Sequence, residues 1–148
     1  MRIVLGSDEC THVDAFVVEE LRRRGHDVTL VGPPAGESLQ WTDIAAEVGQ
    51  RVASGQAEQG VLFCWTGTGV SMAANKVPGV RAALCGDAET ARGARRWNDA
   101  NVLCLSLRAT SEVIAKEILD AWFQAEPDPS EAENIEKVHA LDRQRAET

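Results

Sequence analysis

The chain has 148 residues, with 15 Lys plus Arg against 23 Asp plus Glu, a formal charge of -8, 44% hydrophobic residues, four Cys and no Tyr. That length suits one domain burying roughly 68–70% of the surface its unfolded form exposes, so neither a disulfide framework nor a structural metal is required. The acidic balance argues against binding to nucleic-acid phosphate or anionic membranes and leaves small-molecule chemistry or protein partners.

The first predicted element is a strand over Arg2 to Leu5. Its apolar run is far too short for a signal-peptide core, and no run approaches the roughly 18 apolar residues of a membrane span. A helix over Val13 to Arg24 follows, with Val13, Phe16, Val17 and Leu21 at helical spacing. Its Arg22-Arg23-Arg24 ending reads as a solvated helix end suited to the dipole. Then come a strand over Asp27 to Val31, a helix over Thr42 to Ser54, a strand over Gly60 to Cys64 and a helix over Ser71 to Lys76. A strand over Val80 to Leu84, a helix over Ala88 to Trp97, a strand over Val102 to Leu105 and a helix over Ser111 to Ala125 complete a domain over residues 1–125. Residues 126–148 form an acidic link with Pro127 and Pro129 and a charged helical tail, suited to packing on a partner subunit.

Five apolar strands alternating with amphipathic helices predict an α/β, Rossmann-like three-layer sandwich with a parallel sheet in the flavodoxin-like order 2-1-3-4-5. Ligands in such sheets bind beyond the carboxyl ends of the strands, where the order reverses. The residues singled out are therefore Asp8, after the first strand, and Cys64 to Ser71, after the third.

Cys10, Cys64, Cys85 and Cys104 form no CxxC pair and have no nearby His in a metal spacing, so neither a zinc site nor a thioredoxin-type redox motif is supported, and free thiols in a reducing cytoplasm are expected; no cofactor is expected. Cys10, Cys85 and Cys104 read as packing residues. His12, His26 and His139 read as surface or capping residues, and Trp41 and Trp65 either as core aromatics near strand ends or, with Trp97, as apolar walls against a ligand ring face.

Cys64-Trp65-Thr66-Gly67-Thr68-Gly69-Val70-Ser71 leaves a buried strand, turns on two glycines and starts a helix. Successive amides then converge on one spot beside a partly positive helix end, a place for an oxyanion. The same field favours the Cys64 thiolate. A base beside an oxyanion hole suits abstraction of a proton α to a carbonyl; Cys64 as a small apolar strand end is the alternative. The segment is not a phosphate-binding Walker loop, because Val70-Ser71 follow Gly69, nor a dinucleotide fingerprint, which would place Gly at Met72. Asn98 and Asn101 suit either turn formation or ligand contact, and Asp8 either a helix cap or a site residue.

These residues resemble the type B ribose-5-phosphate isomerase and galactose-6-phosphate isomerase family over nearly the whole chain. Gly6-Ser7-Asp8 resembles its Gly-x-Asp-His start. Cys64 to Lys76 is similar to its Cys-Gly-Thr-Gly-x-Gly-x-Ser-x-Ala-Ala-Asn-Lys signature, and Trp97-Asn98-Asp99-Ala100-Asn101-Val102-Leu103 to its His-Asn-Asp-x-Asn-x-Leu element. The resemblance implies metal-independent aldose–ketose isomerisation of a carbohydrate through an enediolate, in a cytoplasmic homodimer or dimer of dimers with shared sites. Cys64 would be the base, Thr66 would orient or protonate the intermediate, and Gly67, Thr68, Gly69, Val70 and Ser71 would hold its oxygen. Asp8 and Asn98 would bind sugar hydroxyls.

Five departures alter that expectation. Glu9 stands where the family has His, Trp65 where it has Gly, Trp41-Thr42 where it has Tyr-Pro, and Trp97 where it has its ring-opening His. Glu133 and Lys137 fall where phosphate-binding arginines are expected, which weakens phosphate binding unless Lys137, Arg143 or Arg145 compensates. Glu9, Trp65, Trp97 and Lys137 thus join the substrate-binding candidates, for a substrate that needs no ring opening or carries no phosphate. A non-catalytic sugar-binding or heteromeric partner subunit is the alternative function.

Overall fold

The computed structural model describes residues 1–32 and 39–147, with side chains through 145. In chain order it contains β1 (Arg2–Ser7), α1 (His12–Arg23), β2 (Asp27–Val31), α2 (Trp41–Ala53), β3 (Gln59–Cys64), α3 (Thr68–Ala74), β4 (Ala82–Leu84), α4 (Ala88–Asn98), β5 (Val102–Ser106) and α5 (Glu112–Gln124). A 3-10 turn over Pro129–Glu131 leads into α6 (Ala132–Glu147).

All strand pairs are parallel, in the order β2-β1-β3-β5-β4. The Rossmann-like sandwich is as expected, but β4 and β5 exchange places relative to the order 2-1-3-4-5. Strand length and burial explain this. Val102-Leu103-Cys104-Leu105-Ser106 is buried throughout and suits a central position, whereas Ala82-Ala83-Leu84 is short and partly exposed, as edge strands usually are. Asn75 closes that edge: its Nδ2 donates to the Ala82 carbonyl at 2.9 Å and its Oδ1 accepts from the Ala82 amide at 2.8 Å.

Helices α1, α4 and α5 cover one face of the sheet, around Leu21, Phe63, Leu103, Ile118 and Trp122. Helices α2 and α3 cover the other, around Val4, Ile44, Val48, Leu62 and Val102. Trp122 is buried and spends its indole N–H on Gln59 Oε1 at 2.8 Å. The arginines closing α1 are not all solvated: Arg24 bridges buried Glu20 to Asp120 of α5, and Arg23 also pairs with Glu20. No described helix is long and apolar enough to cross a membrane.

Candidate active site

Parallel strands bring their carboxyl ends to one edge, and β1 and β3 are neighbours there. Ser7 pairs with Phe63, so the next residues, Asp8 and Cys64, leave adjacent strands at the same height. Cys64 is buried against the α2 and α3 layer, and its carbonyl accepts from the Leu107 amide at 3.0 Å. The Trp65 carbonyl takes the Arg108 amide at 3.1 Å and the Ser106 hydroxyl at 2.9 Å, which ties the loop to the end of β5.

The chain then turns through Gly67, whose φ of 78° lies in the left-handed region. A Cβ there would stand 2.6 Å from Leu84 Cδ1 and 3.0 Å from the Leu105 carbonyl, so both backbone and packing require glycine. Gly67 supplies no side-chain cap and α3 has no acid in its first turn, so no side chain of the helix start satisfies its leading amides. The Ser71 amide instead donates to the Gly67 carbonyl, and the Val70 side chain is fully buried. The Thr66 and Thr68 hydroxyls lie 2.8 Å apart. A Cβ on Gly69 would stand 3.0 Å from the Trp41 ring, which thus lies against the loop.

Trp41 and Trp65 are not core residues: they are 41% and 56% exposed and flank the mouth of the site. Cys10 is likewise exposed rather than packed, while Cys85 and Cys104 are buried as expected. Burial pushes the Cys85 thiol up to about 12 and raises Cys104 further, so neither is a base at neutral pH.

Asp8 does not cap α1. Thr11 does so, accepting from the Val13 amide while its own amide donates to Asp14. Asp8 Oδ1 is shut off from solvent without a hydrogen-bond partner among the described residues. Burial, and then the charge of neighbouring Glu9, hold its carboxyl above the usual carboxylate range. The Glu9 carbonyl accepts the Ser7 hydroxyl, and its side chain points to an exposed surface.

The remaining candidates lie elsewhere. Trp97 and Asn98 end α4, next to the amino end of β5, where the Gly60 amide donates to the Asn101 carbonyl. From the Gly60–Val102 pair to the Cys64–Ser106 pair is four residues, roughly 13 Å along the strands. Trp97 is 56% exposed, with its ring against Gly93. Asn101 is structural: it accepts from the Arg81 amide at 2.7 Å and donates to the Gly79 carbonyl at 3.0 Å. Helix α6 docks at this same end, where Asp142 accepts from the Gly79 amide and Arg145 donates to the Lys76 carbonyl. Lys137 is exposed on α6 and paired with Glu133 at 3.3 Å.

Arg108 is a further candidate that the sequence did not single out. It lines a cleft of about 560 Å³ with Thr66, Leu84, Cys85, Ser106 and Thr110, and no described carboxylate pairs with it. The strand-end rule applied to β5 would have found it. Among the described residues, no group of three His, Cys, Asp or Glu side chains is placed to hold a metal ion.

The profile of the Ribose/Galactose Isomerase family matches residues 3–141. The chain is 34% identical to ribose-5-phosphate isomerase B of Escherichia coli over 141 residues, covering 92% of this chain and 95% of the relative. It is 33% identical to D-erythrulose-4-phosphate isomerase of Pectobacterium atrosepticum over 147 residues, covering 97% of each. The solved structure of ribose-5-phosphate isomerase B from Clostridium thermocellum superposes with a TM-score of 0.91 at 35% identity, covering 98% of this chain and 99% of that one.

Proposed function

The chain belongs to the ribose/galactose isomerase family, and we propose that it interconverts an aldose and a ketose phosphate of short, open-chain form. The observation that carries this is Cys64 at the end of β3, beside a helix start that no side chain caps among the described residues. Cys64 acts as the base that moves a proton between the first two carbons. The leading amides of the Gly67 turn and α3 hold the enediolate oxygen, Thr66 orients it, and Asp8 takes a sugar hydroxyl. Arg108 holds the phosphate, since it lines the Thr66 cleft without a carboxylate partner among the described residues, and a guanidinium suits a bidentate anion. The scheme uses side chains and amides alone, and the unpaired thiols suit a reducing cytoplasm.

Trp97 directs the choice of substrate, because its indole cannot exchange a proton to open a ring. A four-carbon sugar phosphorylated on its terminal oxygen has no hydroxyl placed to close a five-membered ring and needs no such help. The relative named for D-erythrulose 4-phosphate acts on a sugar of that kind.

The separation of Cys64 from Trp97 and Asn98 supports a homodimer. A two-fold related copy would bring its amino-end residues, Trp97, Asn98 and the α6 tail, over the carboxyl end of the first, completing two equal sites. Turnover in heavy water with four- to six-carbon sugar phosphates tests the activity. Isomerisation with deuterium entering the carbon next to the carbonyl is expected, and is lost in Cys64→Ala. Binding of the panel without exchange or turnover would replace this reading with a sugar-binding subunit, as the loss of the ring-opening group at Trp97 suggests.

A further inference from the structure

Isomerisation moves two protons, one between carbons and one between their oxygens. A single thiol beside the carbon chain serves the first. The groups available for the second are few. The Thr66 hydroxyl is engaged with Thr68 at 2.8 Å, the Ser7 hydroxyl donates to the Glu9 carbonyl, and both ionise far above neutral pH. Trp97 exchanges no proton. Asp8 remains. It leaves β1 at the height of Cys64, one strand spacing of about 4.8 Å away. Thr11 has relieved it of any capping role. Its Oδ1 is buried with no donor among the described residues, an arrangement explained if the donor is a ligand hydroxyl or a proton on the carboxyl itself. Burial, and then the charge of Glu9, raise its pKa from the ordinary carboxylate value, against the lowering pull of the Asp8 and Glu9 backbone amides.

We infer that Asp8 is a second catalytic residue, the acid and base that carries the hydroxyl proton between O1 and O2 of the open-chain sugar. This rests on the reading of Cys64 as the carbon base. Starting from the aldose, the Cys64 thiolate removes the proton on C2, the C1–C2 double bond forms, and the carbonyl electron pair moves to O1, which the loop amides hold as an enediolate until, in a later step, it takes the proton of the Asp8 carboxyl. The Asp8 carboxylate then removes the proton from O2. The O2 electron pair forms the C2 carbonyl, and C1 takes the proton back from the Cys64 thiol. Both groups end as they began, and no oxidant, reductant or further reactant is consumed.

The test compares wild type, Asp8→Asn, Asp8→Glu and Cys64→Ala in heavy water. The probe is the aldose phosphate of the panel that wild type turns over fastest, and thermal melting controls for folding. Deuterium entering C2 of the recovered aldose reports the carbon step; ketose formation reports the complete reaction. Asp8→Asn should lower ketose formation by at least about 100-fold while exchange falls much less and KM changes little. Asp8→Glu should recover part of the ketose formation. Retention of kcat within about threefold in Asp8→Asn, or a parallel fall of exchange and ketose formation with a raised KM, would reduce Asp8 to a binding group. Should Asp8→Asn fail to fold, the ratio of exchange to ketose formation in Asp8→Glu decides: a changed ratio supports the assignment and an unchanged one overturns it. Absence of exchange in wild type, or exchange unaffected in Cys64→Ala, overturns the Cys64 reading instead and is visible without any Asp8 variant.

Discussion

The Trp41 ring lies over Gly69 so closely that a methyl group there would stand 3.0 Å from its six-membered ring. The ring at the start of α2 therefore sets the height of the turn that opens α3. Gly69→Ala should push ring and turn apart and lower kcat/KM about tenfold, while stability falls by no more than about 1.5 kcal/mol because the ring is partly exposed and can yield. Kinetics and thermal melting on the same preparation check this. Gly67→Ala faces a left-handed φ and the Leu105 backbone as well, and should cost about 1–3 kcal/mol in urea unfolding.

Arg108 is expected to anchor the charged end of the substrate. Arg108→Ala should raise KM for a sugar phosphate about 10- to 100-fold, in keeping with the loss of hydrogen bonds to a charged group, and leave the affinity for the unphosphorylated sugar unchanged. Titrations at increasing salt provide a second check, since the preference for the ester should fall with salt in wild type and vanish in the variant.

A site completed by two copies predicts complementation. Cys64→Ala and Asn98→Ala proteins should each be inactive alone. Unfolded together and refolded at equal concentration, they should regain about one quarter of wild-type activity, because half of random dimers are mixed and each holds one intact site. No recovery, with mixed dimers demonstrated by mass, would place both residues in one chain's site.

The acid limb of stability should depend on Glu20. Its hydrogen bond to Arg23, opposed by burial and helped by the charges of Arg23 and Arg24, holds its carboxyl below the usual carboxylate range. Asp120 is lowered mainly by its hydrogen bond to Arg24. A lowered folded pKa contributes stability that is present above the unfolded value, about 4.5 for Glu20, and is lost as pH falls through the folded one. Melting temperature measured below about pH 4.5 should fall more steeply in wild type than in Glu20→Gln.

Periodicity and turn residues were enough to read the alternation of strands and helices, because burial on both faces of a parallel sheet leaves continuous apolar runs such as Val61-Leu62-Phe63. The exchange of β4 and β5 was not legible. Both segments are apolar, and what separates them is the three-residue length of β4 and its closure by Asn75, a long-range pairing with no local signal. Cys64 and the glycine turn could be found because a strand end, two glycines and a helix start fall in one stretch of sequence. Arg108 could not be found in that way: it approaches Thr66 only because β5 lies beside β3. For Trp41 and Trp65, aromatic content alone does not distinguish a core side chain from a wall at the rim of a cleft, and their exposure favours the second of those two readings.

Helix α3 has consequences beyond its seven residues. Its first turn opens from the Gly67 bend beside Cys64, and just past its other end the Lys76 carbonyl is held by Arg145 of the tail. A segment of that length spans about 10 Å and has no room to bend. It is therefore a short strut between the Gly67 bend and the tail contact at Lys76. In the proposed scheme the tail is thus joined, through seven residues, to the amides assigned to the reacting oxygen.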